Sequence, residues 1–444
     1  MNLNEVSMDH QWLPFTPNRH FKKEPRLFVA ASGMHFTTHD GRQVLDGISS
    51  LWCVAAGHNR SPINEAIKRQ LDTLDYATAF QASNDQAYRA AAMIADMAPG
   101  DLNKVLFCNS GSEAADTSLK LALAYHRARG EGHRHVFIGR EKGYHGVNFG
   151  GMSVGGLPAN RKVYGAQLLA RVDHMRFIHD PVHHAFIHHE EPVWQEDPLL
   201  ELEQRILPLH DPSNVAAIIV EPVAGSAGWY IPPKGYLQRL RQICDQHGIL
   251  LIFDEVITGF GRLGVNFGAD FYGVVPDMLN FAKAVTNGVV PLGGVVVRDF
   301  IHDAVMQAGG PEHAIEFFHG YTYSGHPVAC AAAVATLQLM QDEALFARAA
   351  TQGRVLGDAM HSLLRGLPTV NGIRTLGLAG AVELAPLAGS PGKRAYDIML
   401  DCFHRGVWLR AAGENMVLCP PYIVESAHIE QMVQTLADSI RRHA

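Results

Sequence analysis

The strongest constraint on the fold is a set of short, uninterrupted apolar runs that each end in acidic or polar residues. Residues 249–253 are Ile, Leu, Leu, Ile and Phe, and Asp254 and Glu255 follow at once. Residues 215–220 are equally apolar and end at Glu221. Apolar runs of this length are typical of parallel strands buried on both faces. Because open α/β sheets bind ligands at the carboxyl ends of their strands, these acids are predicted to lie in a crevice.

A third apolar run, residues 105–108, leads into a turn of small residues and then a long helical stretch. The turn contains Ser110, Gly111 and Ser112. Such a turn predicts an anion site, because the amide groups at a helix start attract negative charge and the two serines add hydroxyl donors. The alternative is an ordinary serine cap, with Glu113 as an acid that favours the helix dipole.

Lys283 is an isolated lysine among small and apolar residues. Partial desolvation would favour its neutral, nucleophilic form. Together with Asp254 it suggests Schiff-base chemistry with pyridoxal phosphate, in which the lysine carries the aldehyde and the aspartate keeps the pyridine nitrogen protonated. The alternative interpretation is that Lys283 is exposed and that Asp254 only caps the element after its strand. Since three strands bring Ser112, Glu221 and Asp254 to one edge, a shared crevice explains them better than three separate caps.

Three further residues carry two interpretations each. Tyr144, on a loop between glycines, either stacks on a flat heterocycle or is an ordinary loop tyrosine. Trp52 lines a pocket or belongs to the core. Arg410 is predicted to end a strand that starts at Val407, and it either binds a substrate carboxylate or forms a surface salt bridge.

The order of predicted elements indicates an α/β protein with a large doubly wound domain and a smaller α+β domain built from both termini. Residues 1–60 are predicted to form an N-terminal arm and small-domain strands. Residues 61–327 alternate strand and helix, and residues 328–444 complete the small domain. The first helix of the large domain is predicted to begin with Ser61 as its cap and Pro62 at its first position.

Composition excludes several classes of protein. The chain has 444 residues, 47% of them hydrophobic, and a net charge of −7, which does not favour a nucleic-acid-binding protein. No run of 18 apolar residues and no signal peptide is evident, so the protein is expected to be cytoplasmic and not to bind membranes. The six cysteines show no CxxC spacing and are expected to be reduced.

Two local patterns are predicted to carry no chemistry. Histidines cluster at His174, His179, His183, His184, His188 and His189. Without HExxH or paired cysteines this cluster predicts a polar surface insertion rather than a metal site. Residues 151–155 match the GxSxG pattern of serine hydrolases, but Gly150 precedes them and Gly156 follows, where a strand and a helix are required. A serine hydrolase acting through Ser153 is kept only as an alternative from another enzyme class.

Several longer motifs, spread over nearly the whole chain, carry a family resemblance. They are WLPFTPNRHF at 12–21, VLDGISSLWC at 44–53, NSGSEAADT at 109–117, GYHG at 143–146, VEPVAGS at 220–226, IFDEVITGFGR at 252–262, NFAKAVTNG at 280–288, HGYTYSGHP at 319–327 and VWLRAAGEN at 407–415. Together they resemble the class III pyridoxal-phosphate aminotransferases, and most of all the ω-amino acid:pyruvate, or β-alanine:pyruvate, aminotransferases.

The resemblance implies fold type I of the pyridoxal-phosphate enzymes and a set of cofactor-binding residues. Lys283 would form the Schiff base and move the proton between the substrate carbon and C4′ of the cofactor. Asp254 would pair with the pyridine nitrogen, and Tyr144 and Val256 would cover the two ring faces. Gly111 and Ser112 would bind the phosphate, joined by Thr322 from the partner subunit. The full implied set is Ser110, Gly111, Ser112, Tyr144, His145, Glu221, Asp254, Val256, Lys283 and, from the partner subunit, Thr322.

The resemblance also implies a substrate pocket and a quaternary structure. The pocket residues would be Phe15, Leu51, Trp52, Tyr144 and Arg410, with Phe80 entering from the other chain. Arg410 would clasp the carboxylate of pyruvate or alanine and swing aside for amines that lack one. The protein would be a homodimer with shared active sites, which could pair into a tetramer, and it would need no metal.

The implied reaction is a ping-pong transfer of an amino group from an ω-amino acid or primary amine, with β-alanine as the expected donor, to pyruvate. Diamine, 4-aminobutyrate and diaminopelargonate aminotransferases are the alternatives within the family. Ser49 and Ser50, and Ala411 and Ala412, depart from the pattern expected of the group. The preferred amine therefore stays open, whereas the reaction class does not.

Overall fold

The structure is a computed structural model, and it describes residues 7–444. The strands are β1 (Phe28–Ser32), β2 (His35–Thr38), β3 (Gln43–Asp46), β4 (Leu102–Cys108), β5 (Val136–Arg140), β6 (Val172–Met175), β7 (Phe186–His188), β8 (Val215–Val220), β9 (Leu250–Asp254), β10 (Met278–Phe281), β11 (Gly293–Arg298), β12 (Val370–Thr375), β13 (Gly380–Leu384), β14 (Val407–Trp408), β15 (Arg410–Ala412) and β16 (Asn415–Leu418).

The helices alternate with these strands over most of the described chain. They are α1 (Asn18–Phe21), α2 (Ser49–Trp52), α3 (Ser61–Thr73), α4 (Asp85–Met97), α5 (Gly111–Ala128), α6 (Phe149–Val154), α7 (Pro158–Arg161), α8 (Leu207–His210), α9 (Gly225–Gly228), α10 (Tyr236–His247), α11 (Gly268–Tyr272), α12 (Asp299–Ala308), α13 (Pro327–Asp342), α14 (Leu345–Leu364), α15 (Lys393–His404) and α16 (Ser426–Arg442). Short 3₁₀ turns span Met8–His10, Gly165–Gln167, Pro212–Asn214 and Lys283–Thr286, and a π-helical turn spans Leu202–Ile206.

A mixed, mainly parallel sheet forms the centre of the molecule. Its seven strands follow the order β4, β11, β10, β9, β8, β5, β6. The strands from β10 to β6 are parallel to their neighbours, while β11 runs antiparallel to both β10 and β4. Every residue of β8 and β9 is buried, as their continuous apolar runs predicted. The prediction of a doubly wound α/β domain is confirmed.

The two smaller sheets join distant parts of the chain. The first has the order β1, β2, β3, β14, and β14 pairs with β3 in parallel, so N-terminal and C-terminal residues share it. The second has the order β15, β16, β13, β12, β7, and β7 reaches it from the middle of the chain. A small domain built from both termini is therefore confirmed, whereas the boundaries at residues 60 and 327 stay predictions.

Two local predictions were wrong in detail. The N-cap of α3 is Arg60, which has extended dihedral angles, and Ser61 and Pro62 both lie inside the first turn. Arg410 does not end the strand that begins at Val407. Instead, β14 stops at Trp408 and Arg410 opens β15, because the chain passes from one small sheet to the other at Leu409.

The described residues also bear on membrane association and on the cysteines. No helix within residues 7–444 is long and apolar enough to cross a bilayer. All six cysteines are free, and five of them are buried while Cys53 is half-buried. Cys53 is therefore the most accessible of the six thiols.

Candidate active site

Two adjoining cavities lie at the carboxyl edge of the central sheet. The inner cavity has a volume of about 310 Å³ and contains Asp254 and the start of α5. The outer cavity has a volume of about 540 Å³ and reaches from the N-terminal segment to β15. Leu51, Tyr144 and Lys283 line both, so a molecule in one cavity contacts whatever occupies the other.

The inner cavity brings together most of the residues predicted to bind a cofactor. Those that line it are Ser110, Gly111, Ser112, Tyr144, His145, Glu221, Asp254, Val256 and Lys283. The predicted substrate residues that line the outer cavity are Phe15, Leu51, Trp52, Tyr144 and Arg410. Thr322 and Phe80 are the predicted residues that line neither cavity within one chain.

The start of α5 combines a helix cap with an anion site. Ser110 is the N-cap, and its hydroxyl oxygen accepts a hydrogen bond of 3.2 Å from the amide of Glu113. Among residues 7–444 the amides of Gly111 and Ser112 have no partner. Free amides at the start of an 18-residue helix attract an anion, since the dipole adds to their partial charge.

Glycines allow the elements around this helix start to approach closely. A Cβ atom at Gly111 would lie 2.9 Å from both γ-carbons of Val256. A Cβ atom at Gly146 would lie 2.7 Å from the Cβ of Ser112, and Gly146 has a φ of +93°. Either side chain would displace a residue that lines the inner cavity.

Replacing Gly146 with alanine is expected to lower the unfolding temperature and to move Ser112. The positive φ alone costs about 1–2 kcal/mol for a residue with a Cβ atom, and the clash adds to it. Thermal denaturation measures the effect. Gly130→Ala is the matched control, because Gly130 has a φ of +78° but nothing within 4 Å of its Cβ position. Equal losses in both variants would show that the contact with Ser112 is unimportant.

Asp254 ends β9 as a buried and firmly held carboxylate. Its Oδ2 lies 2.8 Å from Nδ1 of His145, and its Oδ1 accepts a hydrogen bond of 3.2 Å from the amide of Val256. Since a carboxylate only accepts, Nδ1 of His145 carries the hydrogen atom. Both residues line the inner cavity, so the contact with His145 holds the Asp254 carboxylate at its wall.

Glu221 fixes the loop that carries Tyr144. Its carboxylate accepts hydrogen bonds of 3.0 Å from the amide of Tyr144 and 3.1 Å from the amide of Gly225. Burial raises the pKa of the Glu221 carboxyl, and the nearby Asp254 raises it further, whereas His145 lowers it. Glu221 thus holds two loops at the cavity wall.

Lys283 opens the turn after β10 with a φ of +51°, in the left-handed region. The end of this turn is anchored by Asn287, whose side chain bonds the amide of Ala56 and the carbonyl of Gly57, each at 2.8 Å. Burial lowers the pKa of the Lys283 ammonium. Cys53, Asp254 and Glu221 raise this pKa, but the effect of burial is larger. This environment favours a neutral amine, the form that attacks a carbonyl carbon.

Arg410 lines the outer cavity without a charged partner. Burial lowers the pKa of its guanidinium, and within residues 7–444 its Nε has no hydrogen-bond partner. No carboxylate of residues 7–444 is among the groups that shift its pKa, and Tyr144 is the one neighbour that raises it. A half-buried, unpaired guanidinium fits a ligand carboxylate, which it can bind through two parallel hydrogen bonds.

Aromatic side chains form much of the outer cavity wall. Trp52 is buried, and its ring stacks on that of Trp229 with centroids 5.7 Å apart. Phe15 is 74% exposed at the cavity mouth. Trp52 is therefore both core and pocket wall, so the two interpretations of this residue do not exclude each other.

Thr322 and Phe80 lie away from both cavities of their own chain. Thr322 is exposed, and its carbonyl accepts a hydrogen bond of 2.9 Å from the hydroxyl of Tyr76. Phe80 is 55% exposed and lines a separate cavity beside Gly320. Their predicted role in the site of a partner subunit stays a prediction.

Cys53 lines the inner cavity, and sequence reasoning missed it. It had been treated only as one of six scattered thiols. Its position next to Trp52, a predicted pocket residue, was the available signal. Asn109 and Thr286 also line the inner cavity, beside Ser110 and three residues after Lys283 respectively.

Ser153 is not placed as a nucleophile. It is fully buried inside α6, where its hydroxyl donates to the carbonyl of Phe149 at 2.6 Å and accepts from the amide of Leu169 at 2.8 Å. A hydrolytic serine must be exposed at a turn between strand and helix. The serine hydrolase alternative therefore lacks its nucleophile.

The six clustered histidines do not converge. His183 pairs with Asp180 at 2.6 Å, and His188 pairs with Asp358 at 3.0 Å. In the part of the chain that the structure describes, no three His, Cys, Asp or Glu side chains are grouped to hold a metal ion.

Comparison with known proteins places this geometry in a family. The family profile "Aminotransferase class-III" matches residues 18–440. The chain is 50% identical to an omega-aminotransferase of Caulobacter vibrioides, over 97% of this chain and 96% of that protein. It is 44% identical to a beta-alanine–pyruvate aminotransferase of Pseudomonas aeruginosa, over 98% and 96% of the two chains.

A solved structure shows the same fold. The omega transaminase of Pseudomonas jessenii, crystallised in complex with PMP, matches with a TM-score of 0.90 at 29% identity, over 98% of this chain and 96% of that one. The chain therefore belongs to the class III aminotransferases, enzymes that depend on pyridoxal phosphate.

Proposed function

We propose that this aminotransferase moves an amino group from an ω-amino acid or primary amine, with β-alanine as the preferred donor, to pyruvate. The observation that carries the proposal is the unpaired guanidinium of Arg410, which lines the same cavity as Lys283. Pyruvate carries a carboxylate on its reacting carbon, and β-alanine carries one a single carbon further away. The names of the two curated relatives agree with this choice.

The side chains of the inner cavity fit pyridoxal phosphate. The free amides of Gly111 and Ser112 suit a phosphate, and the carboxylate of Asp254 suits a protonated pyridine nitrogen. Ser110, Tyr144, His145, Glu221 and Val256 complete the proposed cofactor site. When bound, the cofactor supplies an electron sink for the carbon that carries the transferred amino group.

Lys283 is the proposed catalytic residue. Its Nζ would hold the cofactor covalently between reactions and, once released, would take the proton from the substrate carbon and return it to the cofactor side. Its burial keeps a fraction of the amine neutral, as proton removal requires. The wall that Tyr144 and Trp52 form would restrict water around that carbon.

The residues that depart from the group pattern do not all face the substrate. Ser49 is buried and donates to the carbonyl of Cys419 at 2.7 Å, away from the cavities. Ser50 and Ala411 line the outer cavity. These two are the positions at which the choice of amine is expected to be set. A panel of β-alanine, a diamine and 4-aminobutyrate with pyruvate, scored by alanine formed, tests the proposed donor, and a clear preference for a diamine would contradict it.

Replacing Arg410 with alanine is expected to raise the KM for pyruvate about 10- to 100-fold, because hydrogen bonds to charged groups contribute about 1.5–3 kcal/mol each. The KM for an amine without a carboxylate should change little. Steady-state kinetics with both substrates measure the difference. An equal rise in both KM values would exclude a carboxylate clasp at Arg410.

We also propose that the protein is a homodimer in which Thr322 and Phe80 complete the partner's active site. The exposure of both residues, outside the cavities of their own chain, supports this arrangement.

A further inference from the structure

Asn280 is a fully buried amide without a hydrogen-bond partner. It lies on β10, and no part of its side chain is exposed. Within residues 7–444, neither its Nδ2 nor its Oδ1 contacts a donor or an acceptor. Leaving a buried polar group unpaired costs about 1–3 kcal/mol. Folded proteins retain few such groups, so this one calls for an explanation.

The strand register places Asn280 beside Asp254. In the parallel pair of β9 and β10, Asn280 stands opposite Asp254, one residue after Leu279 opposite Phe253. Neighbouring strands lie about 4.8 Å apart. Asn280 is therefore the cross-strand neighbour of the residue proposed to hold the pyridine nitrogen.

The two side chains also share a face of the sheet. The preceding residues define the two faces: Ile252 and Met278 belong to the core that contains α5, and Phe253 and Leu279 belong to the opposite core. Side chains alternate between faces along a strand. Asp254 and Asn280 therefore both lie on the face covered by α5, whose first residues line the inner cavity.

The carboxylate of Asp254 has capacity for another donor. His145 bonds its Oδ2 and Val256 bonds its Oδ1, whereas a carboxylate has about four acceptor positions. We propose that Asn280 is a positioning residue for Asp254: when the cofactor is bound, the side-chain amide of Asn280 donates, directly or through one buried water, to that carboxylate. The inference rests on the proposed function, because it concerns the group that would face the cofactor.

We expect Asn280 to favour the chemistry of the bound cofactor and to lower the stability of the protein without cofactor. An N–H group beside Asp254 favours the ionised carboxylate and, through it, a protonated pyridine nitrogen. Without the cofactor, the unpaired amide lowers the stability of the folded protein, because its donor and acceptor atoms then lack partners. Such a conflict between local stability and function is expected at active sites.

The test is Asn280→Leu, which removes the amide at similar volume. The apoprotein is expected to melt at the same or a higher temperature. In the protein loaded with pyridoxal phosphate, the visible absorbance band follows protonation of the Schiff-base nitrogen. Its pH midpoint should rise by about one unit, a tenfold change in the protonation equilibrium, because a less positive pyridine ring leaves that nitrogen more basic. The dissociation constant of the cofactor should rise about tenfold as well.

Three further variants separate the role of the amide from general effects on folding. Asn280→Ser retains a group that can bond a carboxylate or a water, and it should recover most of the midpoint shift. Asn280→Ala serves where leucine prevents folding. Thr336→Val is the matched control, since the hydroxyl of Thr336 is also fully buried and unpartnered but lies on α13, and it should leave the band unchanged.

An unchanged pH midpoint and cofactor affinity in Asn280→Leu would overturn the inference. A lower melting temperature with an unchanged band would also overturn it, because Asn280 would then serve the fold alone. If the wild-type protein shows no visible band with pyridoxal phosphate, the proposed function fails first. The two failures are thus distinguishable.

Discussion

Replacing Lys283 with alanine is expected to abolish turnover. The variant loses the covalent hold on the cofactor and the base that moves the proton, and general acid–base catalysis alone contributes about 10²–10⁴-fold. The assay is formation of alanine from pyruvate and β-alanine. A small added amine should restore part of the proton transfer, since it can enter the space left by the side chain in the inner cavity.

Lys142→Ala is the matched control for this experiment. Lys142 is another lysine whose pKa is lowered by desolvation, and its ammonium lies 4.4 Å from the ring centre of Phe177. It lines neither cavity. This variant should keep its activity and its visible absorbance. Sustained turnover by Lys283→Ala without an added amine would remove Lys283 from the mechanism.

Replacing Thr322 with aspartate is expected to prevent cofactor binding if two subunits share each site. The new carboxylate would face the bound phosphate of the partner's site, and two charges about 4 Å apart repel by about 4 kcal/mol near a protein surface. That corresponds to an affinity loss of about three orders of magnitude. Cofactor titration by absorbance measures it. Thr351→Asp, on the exposed face of α14, is the control.

Mixed dimers separate a shared site from simple surface damage. In a dimer of one Lys283→Ala chain and one Thr322→Asp chain, one site carries both changes and the other carries neither. Activity should therefore return on mixing the two inactive variants, to about half of the wild-type value per mixed dimer. Normal cofactor binding by Thr322→Asp, or no recovery on mixing, would contradict the shared site.

The elements that the sequence predicted best are those whose burial is uniform. Strands β8 and β9 are buried at every residue, so their apolar runs coincide with the strands, and Glu221 and Asp254 mark the sheet edge. Lys283 stood out because a lone charge among apolar residues is unusual. These three residues line one cavity in the structure.

What the sequence could not supply depends on pairing between distant segments. The break at Leu409 arises because β14 and β15 join different sheets, which local propensity does not encode. The significance of Asn280 depends on the strand register, which places it opposite Asp254. Cys53 became a cavity residue only through the fold. The proposed roles of Thr322 and Phe80 depend on a second chain, whose contacts a single subunit does not contain.

The most direct test of the whole account is the absorbance of the purified protein before and after β-alanine is added in the absence of any keto acid. We expect a yellow band that fades with β-alanine and returns with pyruvate, together with release of alanine. A yellow protein whose band does not change with β-alanine would still agree with an aminotransferase, but the proposed donor would be wrong. A protein that stays colourless after incubation with pyridoxal phosphate would contradict the central claim.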